Sequence, residues 1–111
     1  MALRISYPLT QVAVIRMPER CDDDLVSAIE ALLEADMNHV ILDYQDVHFS
    51  SSVEIAEVLV ARSMLVEKGG RLQVVNLCGQ MRSIFQVLKL DRLFELDREL
   101  SALLEEITHT P

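Results

Sequence analysis

Apolar positions along the chain alternate between a spacing of two and a spacing of three to four, and each change of spacing marks the border of a strand or a helix. Leu3, Ile5 and Tyr7 alternate with Arg4 and Ser6, while Val12-Ala13-Val14-Ile15 is a compact apolar run; together they predict an antiparallel hairpin through Pro8-Leu9-Thr10-Gln11. Asp22, Asp23 and Asp24 then offer caps and a negative first turn for an amphipathic helix, whose Leu25, Ala28, Ile29, Leu32 and Leu33 recur at i, i+3, i+4, i+7 and i+8. His39-Val40-Ile41-Leu42-Asp43-Tyr44 reads as a buried strand. Its unbroken Val-Ile-Leu centre suggests parallel neighbours with helices over both faces.

The border after that strand is dense in serine. In Phe49-Ser50-Ser51-Ser52-Val53-Glu54, Ser51 and Glu54 have the spacing of a capping box, so the next helix, about 51 to 68, should start at Ser51. This helix is apolar around most of its circumference. At about 100° per residue, Glu54, Glu57, Ala61, Met64 and Lys68 fall on one strip, which is expected to face solvent and to serve as a contact area. Gly69-Gly70 ends the helix, and Arg71 to Asn76 makes a fourth strand. Met81, Ile84, Phe85 and Leu88 mark a third helix, Phe94-Glu95-Leu96 a short last strand, and Leu100, Leu103, Leu104 and Ile107 a C-terminal helix. The expectation is one α/β domain over residues 1–111, a mixed four- to five-stranded sheet covered by about four helices. Leu25, Ile29, Leu32, Leu59, Val66 and Phe85 should pack on a sheet centred on Val40-Ile41-Leu42.

Composition narrows the possible partners. The 111 residues are 50% hydrophobic with only 3 Gly and 3 Pro, as suits a single packed core. Ten Lys and Arg against eighteen Asp and Glu give a net charge of −8, which repels nucleic acid and anionic membrane and favours proteins with basic surfaces. Charges break every apolar run before the ~20 residues a membrane span needs, and the N-terminus lacks a signal-peptide pattern. A cytoplasmic protein without membrane insertion is expected. Cys21 and Cys78, far apart and in no ligand pattern, read as reduced structural thiols.

Catalytic chemistry finds little support. His39, His48 and His109 share no metal-ligand spacing, no serine lies in a G-x-S-x-G turn, and Gly69-Gly70 precedes a strand rather than a helix. Asp43 and Asp46 flank the end of the central strand, where solvated turn residues are a commoner explanation than an acid/base pair. The basic residues are interleaved with acids and carry no aromatic platform, which argues against nucleic-acid binding. Neither metal nor cofactor is expected.

Four segments, in order, converge on a known pattern: Val40-Ile41-Leu42-Asp43-Tyr44, Val47-x-Phe49 before the serine turn, Gly69-Gly70-Arg71-Leu72, and Leu90-Asp91-Arg92-Leu93-Phe94. In these, the stretch from Asp22 to Leu104, about three quarters of the chain, resembles the STAS domain, the family of bacterial anti-sigma factor antagonists and of domains attached to anion transporters. The last segment looks like the family's Gly-Leu-x-x-Leu-Phe ending, with Lys89 where glycine is usual. The family's functional motif is Asp-Ser-Ser-Gly at the start of the long helix, whose second serine a cognate anti-sigma kinase phosphorylates. Counting back without gaps from Gly69-Gly70 sets that motif on Ser51, Ser52, Val53 and Glu54, so the acceptor position is Val53, which has no hydroxyl. A one-residue shift restores Ser52 as acceptor, but needs a gap that would rotate every later helical position by about 100°. The family's acidic position before the first helix is matched by Asp22, while its glycine is replaced by Glu19.

The resemblance implies a non-enzymatic regulatory binding module that lacks the usual phosphoserine switch and docks an anti-sigma serine kinase. The alternative is a constitutive STAS subunit of a lipid-transport or stress-sensing complex, docking a transporter or scaffold subunit. Expected partner-binding residues are Asp22, Ser50, Ser51, Ser52, Val53, Glu54, Glu57 and Met64, with Ser52 as the phosphorylation candidate.

Overall fold

A computed structural model describes residues 3–19 and 25–109. Strands β1 (Arg4–Leu9) and β2 (Val12–Arg16) form the expected antiparallel hairpin. The turn is tighter than predicted, because Pro8 and Leu9 stay in β1 and only Thr10 and Gln11 connect the strands, Gln11 in the left-handed region at φ 63°. The register shifts between Ser6 and Leu9. Pro8 lies in this irregular stretch of an edge strand, the setting in which its missing N–H breaks no interior ladder.

Helix α1 (Leu25–Glu34) leads to β3 (His39–Asp43), α2 (Ser52–Glu67) to β4 (Arg71–Val75), and then come α3 (Gly79–Val87), a 3₁₀ turn at Leu90–Arg92 and α4 (Leu100–His109). The sheet order is β1-β2-β3-β4, with β2, β3 and β4 parallel. The sheet is therefore mixed and four-stranded. Phe94-Glu95-Leu96 is not a strand: Phe94 and Leu96 are buried in an irregular segment after the 3₁₀ turn, and the Phe94 ring lies 6.0 Å from that of Phe85. Two apolar anchors two residues apart gave the pattern of a strand, but their burial comes from side-chain packing without a sheet partner.

Val40, Ile41 and Leu42 are completely buried because both faces of β3 are covered. Val40 and Leu42 face α1, α2 and α3, in a core with Ile29, Leu65, Met81 and Phe85. Ile41 faces the opposite side, where Leu103 of α4 closes a smaller core with Val12, Val14 and Val75. Burying an aliphatic side chain of this size contributes about 1.5–3 kcal/mol, so β3 is an energetic centre of the domain. Leu25, Ile29, Leu32 and Phe85 are buried as expected, and Leu59 packs on the core half-buried. Val66 is 49% exposed and does not pack as predicted. Its neighbour Leu65 takes the inward position, since adjacent helical residues point about 100° apart.

The end of α2 explains both glycines. Gly70 N–H donates to the Leu65 carbonyl at 2.7 Å and Gly69 N–H to that of Val66 at 3.0 Å, the paired bonds of a Schellman motif, with Gly69 in the left-handed region at φ 78°. Arg71 N–H then donates to the Asn38 carbonyl, starting β4 beside β3. A Cβ on Gly70 would lie 2.1 Å from that same oxygen. No helix among the described residues is long and apolar enough to cross a membrane.

Candidate functional site

The serine turn is held from both ends. Upstream, Tyr44 N–H donates to the Val75 carbonyl, Val47 N–H to the Tyr44 carbonyl, and Val47 is buried. Downstream, the predicted capping box is present: Ser51 Oγ accepts from Glu54 N–H at 3.2 Å, and Glu54 Oε1 accepts from Ser51 N–H at 2.9 Å. Ser51 is the cap and Ser52 the first helical residue, one position from the predicted start. Cys78 adds a third fixing point. Its thiol accepts from Met81 N–H at the head of α3 and donates to the Val47 carbonyl at 3.6 Å, linking α3 to the serine turn. Cys78 is free, as expected; Cys21 lies outside the described residues.

Between these fixed points the surface is apolar. Ser50 is buried beneath the turn, whereas Phe49 is 62% exposed and Val53 66% exposed. Ile84, Val87 and Leu88 recur at i, i+3 and i+4 on α3 and form a second stripe beside its buried Met81 and Phe85. Val87 is 79% exposed. A recess of about 450 Å³ lies between the two helices, with Phe49, Ser50, Ser52 and Ile55 on one side and Ile84, Val87 and Leu88 on the other. The α3 side was not identified from sequence, although this second apolar stripe was the signal for it.

The expected solvent strip of α2 is corrected. Ala61 is fully buried, Glu57 and Met64 are half-buried, and Met64 packs on the core. The face open to solvent carries Ser52, Val53, Ala56, Val60, Ser63 and Glu67. The spacing of about 100° per residue groups Glu54, Glu57, Ala61, Met64 and Lys68 but does not say which way the group faces, and the Glu54 carboxylate is turned back to the cap. Ser50, Ser51, Ser52, Val53 and Glu54 are thus brought together at the turn, Glu57 lies one turn further on, and Met64 is remote from it. Asp22, with Asp23 and Asp24, lies outside the described residues.

The other candidate groups have structural settings. Asp43 is not a solvated turn residue: it is 3% exposed, and its Oδ1 accepts from Gln45 N–H at 3.0 Å and Asn76 Nδ2 at 2.9 Å. Asp46 pairs with Arg16, whose hydrogen bond holds the Asp46 carboxyl below its usual range. His39 is half-buried against Gln73, and burial pushes its imidazole pKa down. His48 is exposed, and the side chain of His109 lies outside the described residues. No group of three or more His, Cys, Asp or Glu that could hold a metal ion occurs among the described residues.

A mixed sheet with helices on both faces, and a serine-capped helix beside an open apolar recess, define an α/β domain whose most developed surface is a turn rather than an enclosed cleft. The model of the STAS domain matches residues 1–103, and the chain belongs to that family. No curated protein sequence matches it. Among solved structures, TM1081, described elsewhere as a putative anti-sigma factor antagonist from Thermotoga maritima, aligns in its NMR structure with a TM-score of 0.79 at 14% identity, over 99% of this chain and 91% of that one. An anti-sigma factor antagonist from Mycobacterium paratuberculosis aligns with a TM-score of 0.77 at 21% identity, over 96% and 93%. The Bacillus cell fate determinant SpoIIAA, in its phosphorylated form, aligns with a TM-score of 0.72 at 21% identity, over 96% and 99%. At these identities the likeness concerns the fold.

Proposed function

We propose that the protein is a non-enzymatic regulatory module that docks a protein partner through the serine turn and the neighbouring apolar recess, without the phosphoserine switch. The observation that carries this reading is the side chain at position 53. Val53 stands two-thirds exposed in the first turn of α2, where a hydroxyl would be open to a kinase, and has none. The nearby Ser51 hydroxyl is engaged in the cap. Phe49, Val87 and Leu88 around the recess provide apolar contact area, the net charge of −8 favours a partner with a basic surface, and the partner proposed is an anti-sigma serine kinase.

A phosphate at the start of α2 would add about −1.5 to −2 charges in the middle of this surface, the change that would expel a docked partner. With valine rather than serine at position 53, docking is continuous. The same observation favours the second reading, a constitutive subunit bound to a transporter or scaffold component of a lipid-transport or stress-sensing complex. Incubation with ATP and candidate anti-sigma kinases, followed by intact mass and peptide mapping, should find the protein unmodified and its partner binding insensitive to ATP. Val53→Ser should gain phosphate at the new hydroxyl. Phosphate on wild-type Ser52, lost in Ser52→Ala and accompanied by partner release, would overturn the proposal. Recovery of a kinase or of a permease subunit in a pull-down separates the two readings.

A further inference from the structure

Three charged residues form a row across the strand ends on the side of the sheet away from the serine-turn recess. Arg4 of β1 is registered opposite Arg16 of β2, and Arg16 opposite Asp43 of β3. Directly paired residues project from the same face of a sheet, here the face that α4 covers through Val14 and Leu100. Two guanidiniums directly opposite one another are destabilising unless something negative lies with them. In a chain with only ten Lys and Arg, placing two of them this way calls for an explanation.

The protein's own acids answer only part of it. Arg16 donates to Asp46 through Nε at 2.9 Å and Nη2 at 3.3 Å, and its Nη1 has no partner among the described residues. Arg4 adds to the positive field at Asp46 but has no hydrogen bond or ion pair among the described residues. Asp43 is buried and held by its Oδ1, and it is also among the residues that line the gap. Arg4, Arg16, Asp43 and Ser6 line a recess of about 270 Å³, with Val14 and Leu100 as its apolar wall. It lies at the carboxyl ends of parallel strands, where open α/β sheets commonly bind small ligands.

We propose that this recess binds a small zwitterion of the α-amino-acid class. The ligand carboxylate lies between the Arg4 and Arg16 guanidiniums beside the Ser6 hydroxyl, its ammonium faces Asp43, and its side chain rests on Val14 and Leu100. A plain anion satisfies the arginines but meets the Asp43 carboxylate with nothing to donate, whereas a zwitterion matches both signs. The small volume restricts the ligand to a single amino acid or a molecule of that size. This site is independent of the docking surface.

Two-dimensional NMR of the full chain, titrated separately with alanine, valine, propionate, propylamine and inorganic phosphate in low salt, tests the assignment. Saturable shifts of the Ser6, Val14, Arg16, Asp43 and Leu100 amides are expected with an amino acid, at least tenfold tighter than with either single-charge fragment. Arg4→Gln, at an exposed edge position, should weaken that binding tenfold or more while leaving the other resonances in place. Arg71→Gln, outside the recess, should leave it unchanged. Absence of saturation by either amino acid at about 10 mM overturns the proposal, as does phosphate or propionate binding as tightly as the zwitterion, or equal loss in the two arginine variants.

Discussion

Removing the Ser51 hydroxyl is the most direct test of how the serine turn is built. Ser51→Ala deletes the acceptor for Glu54 N–H at a helix start where three other N–H groups also lack intrahelical partners. The usual loss for such a cap is about 0.5–2 kcal/mol. The bond here is 3.2 Å long and only partly buried, which sets the expectation near 1 kcal/mol. Glu54→Ala removes the reciprocal bond to Ser51 N–H and a carboxylate near the positive end of α2, the charge alone contributing about 0.3–1 kcal/mol. Both bonds fix the same backbone geometry, so the double variant should lose less than the sum of the singles, with a coupling of about 0.5 kcal/mol or more. In urea unfolding, a loss of 1 kcal/mol lowers the midpoint by about 0.3–1 M at the slopes usual for small domains. Ser52→Ala, at an exposed position with no cap role, is the control and should fall within about 0.5 kcal/mol of wild type. If Ser51→Ala matched Ser52→Ala, or the two capping variants were strictly additive, the capping box would not be the device that orders this turn.

Three further substitutions probe the frame around the site. Gly70→Ala should be the most damaging change at the α2–β4 junction, costing about 1–3 kcal/mol or more, because its Cβ meets the Asn38 carbonyl; Gly69→Ala, with open space and only the left-handed conformation to strain, should cost about 1–2 kcal/mol, and denaturation of the two variants decides the order. Lys89 sits at φ 60° just before the 3₁₀ turn, so Lys89→Gly should raise the melting temperature, corresponding to a gain of about 0.5–1 kcal/mol after the extra freedom of the unfolded glycine is subtracted; an unchanged or lower value refutes the strain. Burial lowers the His39 pKa from 6.5, which means the unfolded chain takes up the proton more readily. The contribution of neutral His39 to stability is therefore complete above pH 6.5 and declines as pH falls towards the folded-state pKa, and His39→Gln should remove that part of the pH dependence measured by urea unfolding between pH 7 and 5.

Local interactions account for what was legible in the sequence. The capping box, the double glycine, the hairpin and the buried Val40-Ile41-Leu42 strand each depend on residues within a few positions of one another, and each has the predicted identity in the fold. The same locality made the STAS resemblance readable from four short segments, which the family model then matched over residues 1–103. The orientation of α2 was not readable in this way. A helix apolar on nearly every side has no periodic face, and only packing against α1 and β4 selects Ile55, Val58, Ala61 and Leu65 for burial while leaving Val53 and Val60 in solvent. Tertiary structure likewise turned Phe94-Glu95-Leu96 from an expected strand into an anchored irregular segment and buried Asp43 under Asn76, a partner 33 positions away. It also placed Ile84, Val87 and Leu88 of α3 opposite the serine turn and set Arg4, Arg16 and Asp43 in one row. Such groupings arise from strand register and helix docking, which bring together residues distant in the chain and so leave no periodic trace within any one segment.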